Sequence, residues 1–584
     1  MQPGVDPADI SSDPESASDR APKWWQSTSI YQIYPRSFAD SNGDGIGDLE
    51  GIISRLDYLA DLGVGAIWVS PFFTSPQRDV GYDVADYRNV SPEYGTIDDA
   101  QRLIDEAHAR GLRVLFDLVL NHTSDQHLWF VESRSSRTNP KADWYVWADA
   151  RTDRLGRRRP PNNWRSELQV ERAWRWCPER EQYFLASFLD FQPDLNWRNP
   201  AVRAEMFDMV RMWLGRGVDG FRLDIFGSIM QDAALRNNPP LPTVVAGLPR
   251  LQRPVHTLNT TENFELAADL REVCDEFGPG ERVLLGEVFG DEDTLARYVQ
   301  VGDRPGLHVV FLFEFLHASY SAKRYRSLIE RFERRFPAPQ QPTYVVENHD
   351  RARSMSRLGG DERKARVLAT LMLTLRGIPV IFQGQEVGMT NKYIPLREAV
   401  DPIPRVFRRI LHEPLNRRLP ERLNRDEVRV PMQWSDEPGV GFTDPDVTPW
   451  LRYGDDAATH NVSVQNEDPA SLLNLYRELY HLRREYPAIA HGSLELVPVD
   501  GGDEVIAYRR GDPDQPEAGN VLVVCNLGDT GAAHRVEAGA AMLVRTDDSV
   551  ALVQGLNDER WLNLPPHSAA VLSGSVLGGA PHRR

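Results

Sequence analysis

The stretch DDAQRLIDEAHARGLRVLFDL (98–118) decides the fold. Residues 98–111 space their apolar side chains as a helix does and stop at Gly111, as a C-terminal cap would. Val114–Leu118 is then a short apolar run of the kind read as a strand. Outward from it the same alternation recurs. Ile30–Tyr34, Ala66–Ser70, Gly220–Asp224, Val283–Glu287, Val309–Phe313, Thr343–Glu347 and Pro379–Gln383 read as further strands. RKARVLATLMLTLRG (363–377) is another helix ending in glycine. Eight such strand–helix units predict an α/β fold, a parallel (β/α)8 TIM barrel.

The spacing breaks between the third and fourth strands. Residues 121–199 are rich in Trp, Arg and Pro without helical or strand regularity, and a structureless loop of that size is improbable in a compact protein. An inserted domain is expected there, with the barrel formed by 24–120 and 200–490. Its tryptophans (Trp129, Trp144, Trp147, Trp164, Trp174, Trp176) read as core-filling side chains more than as sugar platforms. Beyond 490, EVIAYRR (504–510), NVLVVCNL (520–527) and AAMLVRT (540–546), separated by Gly/Asp turns, predict a C-terminal antiparallel β-sandwich over 491–584. Residues 1–23 are polar, acidic and proline-containing, a disordered tail without the apolar segment of a signal peptide.

Composition narrows the partners. The net charge of −18 arises from 85 acidic against 67 basic residues, with no basic–aromatic stripe for nucleic acid. No run approaches 18 uninterrupted apolar residues, so no membrane span is expected. Cys177, Cys274 and Cys525 are far apart and odd in number; they read as plain thiols in a reducing compartment, and the expected location is cytoplasmic. A monomer or homodimer acting on a small neutral substrate, without an organic cofactor, fits this balance.

In such a barrel, chemistry sits at the carboxyl ends of the strands. The third strand ends FDLVLNH, bringing Asp117, Asn121 and His122 to the rim. The fourth ends GFRLD, where Arg222 and Asp224, spaced by two, point to one face; an apolar strand does not turn both inward unless they are paired or functional. The fifth ends LLGE at Glu287, and the seventh runs into ENHD with His349 and Asp350. Converging carboxylates are what glycoside hydrolysis requires: an ionised one attacks the anomeric carbon, a protonated one with raised pKa serves the leaving oxygen, and a third stabilises charge on the ring. Arg222 is expected to keep Asp224 ionised.

DLVLNHTS (117–124), GFRLDIFG (220–227), LLGEV (284–288), VVENHD (345–350), the opening WWQSTSIYQIYPRSFADSNGDGIGDLEGI (24–52) and PMQW (431–434) resemble, in order and spacing, the α-amylase superfamily (glycoside hydrolase family 13), and within it the bacterial α-glucosidase branch. The resemblance covers roughly residues 24–570. It implies Asp224 as nucleophile, Glu287 as acid/base and Asp350 as transition-state stabiliser. It implies that His122, Arg222 and His349 contact the sugar at the cleaved bond, and that Asp79 holds the terminal glucose while Tyr82 stacks on it. Arg429 matches an arginine that helps close a blind pocket, which implies removal of single glucose units from non-reducing ends. Phe188 is retained from the leaving-group region, where Leu168 and Ala186 depart from the usual pattern and leave the acceptor preference open.

The loop DSNGDGIGD (40–48) alternates acidic and amide side chains with glycines, as a hard-cation loop does. By resemblance Asp40, Asn42, Asp44, Asp48 and the Ile46 carbonyl hold a structural Ca²⁺ or Mg²⁺. Ile225, after the nucleophile, is bulkier than the Val associated with α-1,6 or the Ala or Thr associated with α-1,4 preference and settles neither. QDAALRNNPPLP (231–242) points to short α-1,4 substrates of the maltose type, with sucrose a further candidate and transfer to acceptors other than water a further outcome. The alternatives are a trehalose synthase-type maltose isomerase, which shares SDQH-W (124–129), and an oligo-1,6-glucosidase. A non-enzymatic subunit resembling transporter heavy chains is disfavoured, since those lack the carboxylates and carry a membrane span.

Overall fold

A computed structural model of the protein describes residues 22–168, 171–241, 243–245, 248–407, 424–500, 502–511, 519–555 and 559–573. The expected N-terminal tail, residues 1–23, lies outside them except for its last two positions.

Eight parallel strands form the barrel: β1 (Ile30–Ile33), β2 (Ala66–Val69), β3 (Arg113–Val119), β4 (Gly220–Asp224), β5 (Val283–Gly286), β6 (Val309–Val310), β7 (Thr343–Val345) and β8 (Ile378–Phe382). They pair in the order β6-β5-β4-β3-β2-β1-β8-β7, so each strand except β7 neighbours its predecessor in sequence and β8 returns to β1. Between β6 and β7 the Leu312 N–H donates to Thr343 O at 3.4 Å. The strands read as continuous apolar runs because both faces are covered. Inward, Ile30, Ala66, Trp68, Leu115, Val283, Leu285, Val345 and Val380 pack together. Outward, Ile67, Val69, Val114, Phe116, Phe221, Leu223 and Ile381 join the layer under the helices. The helix of the deciding stretch spans Ile97–Ala109, capped by Thr96, and Gly111 follows it at φ 76°, the left-handed backbone that a glycine adopts without penalty.

At the amino-end floor of the barrel, fully buried Asp219 ties three strands together. It accepts from the Val114 N–H at 2.9 Å and pairs with Arg113 at 2.9 Å, Arg282 at 3.3 Å and His108 at 2.7 Å.

Between β3 and β4 the chain forms a helix, Leu128–Ser135, and a three-stranded antiparallel sheet of Trp147–Ala148, Gln182–Leu185 and Trp174–Cys177. Trp164 and Trp174 stack at 6.0 Å over Ala173, Tyr183 and Leu185, the core of this unit. After the barrel, a five-stranded antiparallel sheet (Ser493–Leu496, Val505–Gly511, Val521–Asn526, Ser568–Ser573, Ala541–Arg545) packs against a three-stranded one (Ala532–Val536, Arg560–Leu564, Ala551–Gln554). The five-stranded sheet docks on the barrel through buried Arg510, beside a second buried arginine, Arg483, on the barrel-side helix Leu472–Glu485. Arg510 donates to Thr374 O at 2.6 Å and Ile489 O at 2.7 Å, and Arg483 to Leu373 O at 3.2 Å, satisfying carbonyls at the end of the helix Glu362–Thr374. All three cysteines are free and buried. Among the described residues no helix is long and apolar enough to cross a membrane.

Candidate active site

The polar end of the barrel is built around one guanidinium. Register pairs Arg222 with Asp117 across β4 and β3, and both side chains point inward. Arg222 Nη1 donates to Asp117 Oδ1 at 2.9 Å and Oδ2 at 3.0 Å, and to Asp224 Oδ1 at 2.8 Å; its Nη2 donates to Glu287 Oε2 at 2.5 Å. Asp224 and Glu287 therefore sit side by side on adjacent nitrogens of one cation. Trp68 backs the assembly: its ring lies 5.0 Å from the guanidinium carbon and its Nε1 donates to Asp117 Oδ2 at 3.1 Å. Ile225, directly after Asp224, has φ 36° and ψ 45°, a strained conformation for a β-branched residue, and its N–H faces Glu287 Oε2 at 3.2 Å.

Asp350 lies across the cavity, past β7. It pairs with Arg429 Nη2 at 2.6 Å and Arg425 Nη1 at 3.1 Å. Arg425 Nη2 reaches on to Asp79 Oδ1 at 3.2 Å, and Gln192 Nε2 donates to Asp79 Oδ2 at 2.8 Å. Gln32 Nε2 is 2.6 Å from His349 Nδ1 and donates to it, leaving the ring proton on Nε2, which faces Tyr82 Oη at 2.8 Å and Asp350 Oδ2 at 3.4 Å. Tyr82 and His349 stack at 5.7 Å, nearly parallel. His122 Nε2 is 3.0 Å from Tyr82 O, and its ring packs at 5.5 Å from Phe188.

These groups enclose a cavity of ≈ 170 Å³. Of the sequence-predicted residues, Asp79, Tyr82, His122, Phe188, Asp224, Glu287 and Asp350 line it. Arg222, His349 and Arg429 do not; they stand behind the lining side chains and hold them. For Arg429 this differs from the expectation that it closes the pocket: it donates to His349 O at 2.9 Å and to Asp350, while the link to Asp79 comes from Arg425, which the sequence reading missed. The available signal was position, since Arg425 opens a short helical turn, Arg425–Glu427, four residues before Arg429. Leu168, Ile225, Leu258, Phe289 and Phe313 line the cavity with apolar surface, and Phe289 and Phe313 stack at 5.4 Å. None of the seven tryptophans of 121–199 lines it.

Burial and charge set the proton affinities. Asp224 is raised well above the usual carboxylate range by burial, only partly offset by Arg222, with Glu287, Asp117 and Asp350 adding to the rise. Arg222 favours the ionised form of Asp224, in the direction the sequence reading expects, but it is one cation shared among three buried carboxylates and burial works against it. Asp117 is pushed up to about 6 by burial against the pull of Arg222. Burial also raises Asp350, but His349, Arg425 and Arg429 outweigh it and hold the group well below its usual range. Since burial lowers His349 itself to about 3, the two arginines supply the positive charge. Asp350 is an anion beside a cluster that retains a proton, a division of roles suited to acid–base work on a glycosidic bond.

The loop 40–48 lies apart, against 442–450. Asp40 Oδ1 accepts from the Asn42 and Gly43 N–H groups at 3.1 and 2.8 Å, Asn42 Oδ1 from Asp44 N–H at 2.9 Å, and Asp44 Oδ1 from Ile46 N–H at 2.8 Å. Gly43 and Gly45 take φ 75° and 85°. Asp48 serves both the loop and the helix after it: its Oδ1 caps the helix Leu49–Ser54 and its Oδ2 takes Ser41 N–H and Oγ–H. Among the described residues no three His, Cys, Asp or Glu side chains gather as a metal site, yet the all-oxygen donor set suits a hard cation.

A parallel barrel gathering carboxylates from several strand ends into one cavity defines an enzyme of the glycoside hydrolase class. Residues 32–492 match the alpha-amylase catalytic domain, and the chain belongs to that family. A probable alpha-glucosidase of Rhizobium meliloti (strain 1021) is 42% identical over 528 residues, 87% of this chain and 90% of that protein. An oligo-1,6-glucosidase of Heyndrickxia coagulans is 36% identical over 539 residues, 87% and 92% of the two chains. The crystal structure of the alpha-glucosyl transfer enzyme XgtA is similar with a TM-score of 0.82 at 38% identity, covering 95% of this chain and 100% of that one.

Proposed function

We propose that the chain is a retaining, exo-acting α-glucosidase that releases glucose from the non-reducing end of short α-glucosides of the maltose type. The observation that carries this is the pairing of Asp224 and Glu287 on one guanidinium, in a cavity whose far side is occupied by the Asp79–Arg425–Asp350 bridge. Retention needs the two carboxylates about 5–5.5 Å apart, which adjacent placement supports. With the proton of the cluster placed on Glu287, ionised Asp224 attacks the anomeric carbon while the Glu287 carboxyl gives that proton to the departing glycosidic oxygen. The C–O bond breaks and a glucosyl ester forms on Asp224. Glu287 then takes a proton from water, whose oxygen attacks the same carbon and frees Asp224. The raised proton affinity of Asp224 marks a site short of positive charge, which the developing oxocarbenium character of the sugar supplies.

The apolar side chains Leu168, Leu258, Phe289 and Phe313 favour transfer of the glucosyl unit to a hydroxyl other than that of water, because they disfavour bulk water at the leaving-group side. A Ca²⁺ or Mg²⁺ held by Asp40, Asn42, Asp44, Asp48 and the Ile46 carbonyl would brace the loop beside 442–450, remote from the carboxylates. The free thiols support a cytoplasmic setting, and the protein acts as monomer or homodimer. Incubation with maltose and chromatography of the products tests the reading: glucose, with or without trisaccharides, is expected, and trehalose as main product would assign the chain to the isomerases.

A further inference from the structure

Arg425 has a partner that the chemistry above does not use. Asp401 is fully buried and takes the Arg425 Nε–H at 2.7 Å, the Nη2–H at 2.8 Å and the backbone N–H at 3.2 Å. The neighbouring carboxylate completes a reciprocal clasp: Asp426 accepts from the N–H groups of Val400 at 2.6 Å and Asp401 at 3.2 Å, while Asp401 also accepts from Ile403 N–H at 3.0 Å. Two chain segments more than twenty residues apart are thereby locked so that one planar guanidinium faces Asp401 on one edge and Asp79 and Asp350 on the other. Arg425 is largely buried and lines the cavity; Asp401 does not. A guanidinium needed only for its charge would not require a dedicated buried carboxylate fixing its plane, and fixing the plane is what such a fork-shaped pairing does.

We propose that Asp401 is a positioning residue: it holds Arg425 where the guanidinium spans Asp79 and Asp350, and so sets how firmly the cavity grips a terminal glucosyl unit. Without it, Arg425 leaves the plane in which it spans Asp79 and Asp350, and the oxygens that accept sugar hydroxyls lose their fixed placement. The inference rests on the α-glucosidase reading for the identity of the sugar.

The test is a double-mutant cycle of D401N and D79N, read as kcat/KM for maltose and as Kd for glucose by calorimetry. D401N alone is expected to lower kcat/KM roughly 10- to 100-fold, the scale of a small misplacement of binding groups, and to weaken glucose binding. In the D79N background the same substitution should do little, since the oxygens it acts through are already altered. Equal losses in both backgrounds, or no loss from D401N, would overturn the proposal while leaving the α-glucosidase reading intact. A protein that binds glucose with this coupling but does not cleave maltose would overturn the activity and keep the positioning role; one that does neither overturns both. Should D401N not fold, R425K carries the cycle, because lysine keeps the charge and loses the fork; it is expected to reproduce the D401N losses, and wild-type values from R425K overturn the proposal.

Discussion

Asp117→Asn isolates the electrostatic cost of the site. Asp117 is fully buried and its carboxyl is pushed up to about 6, whereas in an unfolded chain it titrates near 3.9. Between those values the folded protein holds a proton that the unfolded chain has released, so stability falls as pH rises from about 4 to about 6. Two units correspond to about 3 kcal/mol, an order-of-magnitude figure that moderation by Arg222 has already reduced. Asparagine cannot ionise, so the variant escapes this loss. Its amide also turns a donor towards Trp68 Nε1 or Arg222 where a carboxylate accepted from both, which lowers stability at every pH and disturbs the group beside Asp224. The measurable quantity is the difference in unfolding free energy between variant and wild type, followed by denaturant titration from pH 4 to 7. Buried Asp83 and Asp194, both raised to about 7, are common to the two proteins and cancel. The variant should gain about 3 kcal/mol relative to wild type across this window while kcat/KM for maltose drops. Parallel curves would refute the idea that desolvation dominates the proton affinity of Asp117.

Asp224→Asn should lower kcat by about four orders of magnitude or more with an unchanged circular dichroism spectrum; turnover near wild type would remove Asp224 from the chemistry. Asp219→Asn should destabilise the barrel by roughly 2–3 kcal/mol, less than a wholly buried pair because Arg113 and His108 are partly exposed. Burial opposes ionisation of Asp219, but His108, the Val114 N–H and Arg113 prevail and its carboxyl is lowered; its contribution is present above about pH 4 and is lost as pH falls through the lower folded value. A denaturation series in acid checks this, and equal acid sensitivity of wild type and variant would contradict it. Adding Ca²⁺ or Mg²⁺ to chelator-treated protein should raise the thermal midpoint, and Asp40→Ala should abolish the response; an unresponsive wild type discards the metal.

The barrel was legible because parallel strands covered on both faces must be written as continuous apolar runs, and within β3 and β4, past Arg113 at the start of β3, that rule broke at Asp117, Arg222 and Asp224. Alternation along a strand is a local property, so those residues could be assigned to the interior before any contact was known. The charge balance there could not, since it depends on three carboxylates from three strands sharing Arg222. Arg425 and Asp401 were hidden for a related reason: each is an ordinary charged residue in an irregular segment, and only the folded chain brings them to Asp79 from more than three hundred positions away. Ile225 gave no warning of its left-handed backbone, because glycine is the usual marker of that conformation. Asp48 reads from sequence as one more oxygen of an acidic loop, and its position before a helix makes it a cap as well.

Arg510 gives the sandwich a place in the order of biosynthesis. The carbonyl of Thr374 finds its donor in Arg510, 136 residues downstream, and that of Leu373 in Arg483, 110 residues downstream. While the ribosome is still making the C-terminal strands, every barrel strand and Arg483 have been synthesised, but until Arg510 follows the Thr374 carbonyl at the end of the helix before β8 lacks that partner. A nascent chain stalled before residue 510 therefore offers an unfinished helix end to chaperones or proteases. The last sheet acts as a seal on a barrel whose catalytic parts were complete much earlier in translation.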